Sequence, residues 1–389
     1  MPPRKRPKID AVKLLGNRRL TQNHIFAVLE QSHPEVSRRL LRRSVEDAIE
    51  EVYTSDIALD LPLQLTKGRS FSWPVARPPA LIRCLVPISP ALRAAFALMP
   101  CSYDNPWHLV LYLDEITPGN ISAPMNGRKF VAVYYTFKEF ARLVRNEAFW
   151  FHFGFIRTRV MKKVLGGYGA LTKSIVNTFI NDVESFVHVG IAVDIDGPRL
   201  LYAKCWRLLA DGAALAAVFD SNMSSGTKQC FACANAIKDG TFGKAPKGWV
   251  PITGTNMRKF IRHTNESVWK SIDDLNALAP GCGITRKRRL RQCYGFKDNP
   301  HGLLANKPLR KFIKPVDFLT NDWAHIFAQN GVGNIQLYHA MESIGIDVNA
   351  LQDEVNTWAL PALRQNLQGQ IKHFFRAKQK RYQEKVLEV

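Results

Sequence analysis

The sequence has no run of about eighteen apolar residues, the length at which a stretch reads as a membrane-crossing helix, so it supports no transmembrane segment. Its first residues, MPPRKRPK, are basic with no apolar stretch behind them, which is not the pattern of a secretory signal. Cysteine is scarce: seven in 389 residues, odd in number and mostly scattered. That argues against a disulfide framework and for reduced thiols inside a cell. No internal repeat or low-complexity tract stands out, which removes solenoids from the field. Acidic residues are also short, with 33 Asp and Glu against 54 Lys and Arg.

That last shortage leaves a formal charge of +21, and such an excess favours a polyanionic partner. Nucleic acid comes first and an anionic membrane surface second. The charge is clustered in PRKRPK at 3–8, RRLLRR at 38–43, RKRRLR at 286–291 and RAKQKRYQEK near the end. The first block reads as a nuclear-import tail or a phosphate-seeking arm, and the expected location is the nucleus. A hydrophobic share of 46% is enough for real cores, in one large domain or two to three ordinary ones.

Residues 1–17 read as a disordered basic tail and 18–55 as a small helical unit broken at SHP, with Pro34 suited to a first helical turn. Residues 56–105, rich in proline, read as a linker or entry segment. The organised part, 106–345, opens with three strands: HLVLYLD (108–114), RKFVAVYYTF (128–137) and AFWFHFGFIR (148–157). A helical stripe follows, with Leu171, Ile175, Val176, Phe179, Ile180 and Val183 on one face. Then come strands VHVGIAVDI and RLLYAKCWRLLA, Asp211, and a helical GAALAAVF. This is the element order of an α/β ribonuclease-H-like fold, a mixed sheet with flanking helices that carries acids on its strand ends. A polar, irregular insertion is expected at about 236–315, and a basic helical segment at 346–389.

Two acids close expected strands, Asp114 and Asp211. Cutting or transferring a phosphodiester needs an activated oxygen nucleophile, a stabilised leaving oxygen and relief of phosphate charge, and divalent cations held by carboxylates supply all three. Mg²⁺ or Mn²⁺ suits such hard oxygen ligands. The same two residues also fit plainer roles, Asp114 as a turn residue before TPGN and Asp211 as a helix N-cap. Cys230 and Cys233 form half of a tetrahedral zinc site, with His263, Cys282 or Cys293 as completing ligands; a lone pair of this spacing is a weak signal. Arg286, Lys287, Arg288, Arg289 and Arg291 read as a solvated loop that contacts DNA phosphates.

LVLYLDEITPGN, LLADGAAL with SSGTKQCFACAN, and NDWAHIFAQNG together resemble the catalytic core of DDE-type cut-and-paste transposases, the CACTA and Plavaka-like groups and proteins derived from them. The resemblance spans roughly 107–345. It implies a metal-dependent DNA nuclease and strand transferase with Asp114 and Asp211 as metal ligands, Asp322 and His325 as the downstream Asp-x-x-His, and Glu342 as third acid. Glu354 competes with Glu342 for that role, and Gln336 stands where an acid would also have fitted. The departure at the third acid keeps a second reading beside the first, a catalytically decayed or domesticated DNA-binding protein. Homo-oligomerisation stays open in both.

Overall fold

The computed structural model describes residues 57–117, 129–181, 184–222, 226–228, 230–240 and 247–321, together with Ser37, Arg39, Gln336, Ser343 and Gly345. The expected basic tail and N-terminal helices, the C-terminal segment 346–389, Asp322, His325, Glu342 and Glu354 lie outside the described residues.

Strand β3, Trp107–Ile116, shows how the sequence builds the sheet. Trp107, Leu109, Leu111 and Leu113 are buried and the residues between them half-buried, the period of two that a strand imposes. Together with β4 (Phe130–Phe137), β5 (Phe151–Arg157), β8 (Ala203–Ala210) and β11 (Leu319–Asn321) it forms a five-stranded mixed sheet in the order β11-β8-β3-β4-β5. The expected helix is present over Gly167–Asn181, here α3, and the helix after Asp211 over Gly212–Val218, here α4. The edge strand β11 runs parallel to β8, with Leu319 opposite Leu208 and Asn321 opposite Ala210. The two expected strands VHVGIAVDI and RLLYAKCWRLLA meet in a hairpin apart from the main sheet, β6 (Ile191–Asp194) against β7 (Pro198–Leu201), turned at Asp196 and Gly197 with positive φ, and the second of them resumes after Tyr202 as β8.

The segment expected as a linker is structured. Ala58–Gln64 (β1) and Ser70–Ala76 (β2) pair antiparallel, and Pro78–Ile88 (α1) and Pro90–Leu98 (α2) follow. Its prolines do not break it: those at 78, 79 and 90 occupy first helical turns, where the missing N–H costs nothing, Pro62 and Pro74 lie within the β1–β2 hairpin, and Pro87 falls in the last turn of α1. The insertion is likewise not irregular throughout. It holds a short parallel pair, β9 (Ala236–Ile237) with β10 (Val250–Pro251), and two helices, α5 (Asn265–Leu278) and α6 (Ile284–Tyr294). A reciprocal Thr264 and Ser267 capping box starts α5.

The described residues divide into two compact units, those of 57–110, 134–154 and 173–206 in one and those of 111–133, 155–172 and 207–321 in the other. The first has an aromatic core. Phe137, fully buried, lies 5.3 Å from Trp107 and 5.7 Å from Phe140, measured between ring centroids, and Phe96 stacks 5.1 Å from Trp107. Gly154 lets this core close, since a Cβ there would sit 2.9 Å from Val75 Cγ1. The second unit buries Leu208, Leu215, Val218, Phe219, Phe231, Phe296 and Phe318. Among the described residues no single helix is long and apolar enough to cross a membrane. The bent pair α1 and α2 passes such a test only jointly, and it buries Ile82, Val86, Leu92 and Phe96 within the protein.

Phe137→Ala, which empties the middle of this cluster, is expected to lower unfolding free energy by about 3–5 kcal/mol in urea titrations. Leu98→Ala, at a side chain 77% exposed, should stay within about 0.5 kcal/mol of wild type. Equal effects of the two would show that the aromatic cluster is not the core of its unit.

Candidate active site

Asp114 stands near the end of β3, and Asp211 is the first residue after β8, the neighbouring strand. Both line one cavity of about 200 Å³ in the second unit, with Glu115, Tyr168, Leu113, Val131, Ala213 and Ala214. Asp211 has extended backbone angles, and its Oδ1 accepts a 2.6 Å hydrogen bond from the Ala214 amide, so it is the N-cap of α4 as well as a wall of the cavity. Its Oδ2 has no hydrogen-bond partner among the described residues. The two readings of Asp211 are therefore compatible, one oxygen serving each.

Glu115 and Tyr168 were not singled out from the sequence. Glu115 accepts from Lys129 Nζ at 2.8 Å through Oε1 and from Thr158 Oγ1 at 3.1 Å through Oε2. The Lys129 bond holds its carboxyl below the ordinary range against the opposing effect of burial, and Thr158 adds to the lowering. Tyr168 lies in the first turn of α3, and burial, with the negative charges of Glu115 and Asp211, pushes its hydroxyl up to about 12. It therefore stays protonated and able to donate at neutral pH. The signal for Tyr168 was the GGYG that precedes the helical stripe, where Gly166 and Gly167 both have positive φ.

A buried clamp holds these pieces in place. Asp220, 7% exposed and with φ of 53°, ends the stretch that begins at Asp211 and α4. Asn299 Nδ2 donates to Asp220 Oδ1 at 2.8 Å and to the Gly166 carbonyl at 2.9 Å, so one amide joins the chain after α4 to the turn before Tyr168. A Cβ on Gly302 would clash with Asp220 Oδ2 and one on Gly169 would sit 3.2 Å from it, and a Cβ on Gly166 would come within 2.7 Å of the His301 Cβ. Burial pushes the Asp220 carboxyl up to about 7, opposed by the Asn299 bond and the Lys297 charge and helped by Asp298.

As metal ligands, Asp114 and Asp211 offer the hard oxygens that Mg²⁺ or Mn²⁺ takes, and Oδ2 of Asp211 is open to the cavity's chemistry. No group of three or more His, Cys, Asp or Glu suited to a metal occurs among the described residues. Asp322, His325 and Glu342 are outside them.

Cys230 and Cys233 do meet. Burial, followed by the bond and charge of Cys230, raises the Cys233 thiol to about 11, with Arg262 opposing. The completing ligands do not gather round them. The His263 ring is engaged through Nδ1 with Ser267 Oγ at 2.8 Å, Cys282, in the turn after α5, donates to the Leu278 carbonyl at that helix's end, and Cys293 is exposed near the end of α6. Zinc on this pair would need ligands from beyond the described residues.

The basic block is a helix and not a loop. Arg286, Lys287, Arg288, Arg289 and Arg291 all belong to α6. Lys287 and Arg291 share Asp298, with Lys287 Nζ at 2.7 Å from Oδ2 and Arg291 Nε on Oδ1. Compared with protein-family models and with curated proteins, the chain matches none.

The buried clamp makes a prediction about pH. The folded pKa of Asp220 is raised, so its contribution to stability is full below the ordinary carboxylate value near 4 and is lost as pH rises to about 7. The loss is expected to reach at most roughly 4 kcal/mol. Asp220→Asn keeps the shape and tolerates positive φ, and should remove the slope. Urea unfolding at a series of pH values should give a wild-type minus variant difference that falls from pH 4 to 7 and is flat above it. A difference independent of pH would show that the carboxyl is ordinary.

Proposed function

We propose that the chain is a DDE-type, transposase-like DNA nuclease and strand transferase with a ribonuclease-H-like core, in which Asp114 and Asp211 hold Mg²⁺ or Mn²⁺. One observation carries this reading: two aspartates far apart in sequence, at the ends of neighbouring strands, wall a single cavity. The order of three strands, a helix, a strand and a helix within one mixed sheet supports the fold assignment. The charge of +21 supports DNA as the substrate and the nucleus as the place of work.

In this reading the bound cation would activate the attacking oxygen and relieve phosphate charge. The protein's own part follows from the geometry. The cap bond to Ala214 fixes the Asp211 carboxylate, so Oδ2 is presented with little freedom left to lose. Lys129 and Thr158 keep Glu115 ionised and occupied, a fixed negative charge beside the ligands. Tyr168, held protonated, donates to a phosphate oxygen or to the attacking water. A second reading, a DNA-binding protein with a decayed site, is favoured by Glu115 itself, since Lys129 and Thr158 each hold one of its oxygens and compete with a cation for it.

Nicking of supercoiled DNA by the full chain in Mg²⁺ or Mn²⁺ separates the two. Asp114→Asn and Asp211→Asn should each lower the rate by about 100-fold or more. Because Asn caps helices about as well as Asp, Asp211→Asn should keep its stability within about 0.5 kcal/mol. Equal nicking by wild type and both variants would sink the metal assignment. Metal-independent DNA binding with no nicking at all would establish the second reading.

A further inference from the structure

Helix α6 differs from the other long helices of the second unit in burying none of its residues, and Ile284 at its start is 89% exposed. Such a helix is not there to fill a core. It is fastened along one side and at its end. Lys287 and Arg291, one turn apart, both reach Asp298, and Asn222 Nδ2 donates to the Arg291 carbonyl at 2.7 Å and the Phe296 carbonyl at 3.2 Å. Gly295, left-handed with φ of 79°, ends it.

At 3.6 residues per turn, Thr285, Arg288, Arg289 and Gln292 share the face turned away from Lys287 and Arg291. The first three are exposed, Gln292 is half-buried, and neither arginine has an ion-pair partner among the described residues. The helix contains no acid to compete for them.

We propose that α6 enters the major groove of duplex DNA and reads its base edges with Thr285, Arg288, Arg289 and Gln292, while Lys287 and Arg291 only hold the helix in place. This rests on the part of the functional reading that makes DNA the partner, and not on cleavage. A helix about 10–12 Å across fits a groove about 12 Å wide, and eleven residues at roughly 1.5 Å each cover about five base pairs. Arginine pairs with guanine O6 and N7 through two bonds, glutamine with adenine N6 and N7, and threonine with either kind of edge.

Other polyanions fit less well. A membrane-surface helix needs an apolar face, which this one lacks, and a single-strand binder needs stacking aromatics, whereas Tyr294 falls on the side of Lys287 and Arg291.

The test is selection of a random 20-bp duplex pool by the full chain in EDTA, with no cleavage involved. Binding of the enriched duplex, of a scrambled duplex and of the separated strand is then measured over a salt series. Wild type should prefer its enriched duplex by at least about 100-fold. Arg288→Gln with Arg289→Gln should cut that preference by about tenfold or more. Thermal melting should be unchanged in the double variant, since neither side chain anchors the helix. No enriched sequence, an undiminished preference in the double variant, or a single strand that competes as well as the duplex would overturn the assignment. Loss of nicking with retained preference would count against the metal site alone.

Discussion

The hydrogen bonds of Asn299 are the constraint on which the candidate site depends. One side-chain amide joins Asp220, at the far end of the stretch opened by Asp211, to Gly166, at the turn that delivers Tyr168. The cavity is lined by the end of β3, Val131 of β4, the start of α4 and the start of α3. Sheet pairing fixes the first three relative to one another, because β4, β3 and β8 are neighbours. The start of α3 is not held by sheet pairing, and Gly166 and Gly167 give its backbone freedom in the left-handed region. A buried bond at that turn removes the freedom the glycines introduce.

Asp211 shows why a structural and a chemical role need not compete. A carboxylate has two oxygens and about four lone-pair sites, and an N-cap uses one of them. Capping also holds the side chain in one rotamer, so the entropy of ordering a ligand is already spent in folding. Glu115 is the opposite case, with each oxygen committed to a neighbour on another segment. Next to each other in the chain, Asp114 and Glu115 contribute differently for that reason.

What the sequence made legible follows from periodicity. The alternation in WHLVLYLD and the helical stripe around Ile175 gave the strands and the helix because burial repeats on a fixed step. The placement of Asp114 and Asp211 at strand ends was legible on the same grounds. Tyr168 was not, because its role depends on a bond from Asn299, more than a hundred residues away in the chain. Glu115 was missed since strand alternation assigns it to the face opposite Asp114, a rule that loosens where the strand ends. The prolines of 56–105 read as breaks because the eye weighs what they forbid and not the first-turn positions where they are welcome. Helix α6 buries nothing, so it has no apolar period to find; its helicity comes from the propensity of Arg, Lys, Leu and Gln and from the hold of Asp298.

The second unit thus separates its charges. The acids around the cavity would repel a phosphate by themselves, and at the short range of a ligand pair that repulsion is screened little by salt. A bound cation reverses the sign there, so in the proposed reading chemistry waits on metal. In the same reading the arginines of α6 would need no such condition and would attract the duplex at once, with a strength that falls as salt rises. Binding and cutting then answer to different solution variables, ionic strength for one and divalent cation for the other. On the proposed reading, a chain that lost the cavity's ligands while keeping Asp298 and the face of α6 would still bind DNA, which would make the step from an active enzyme to a domesticated one a matter of a few carboxylates.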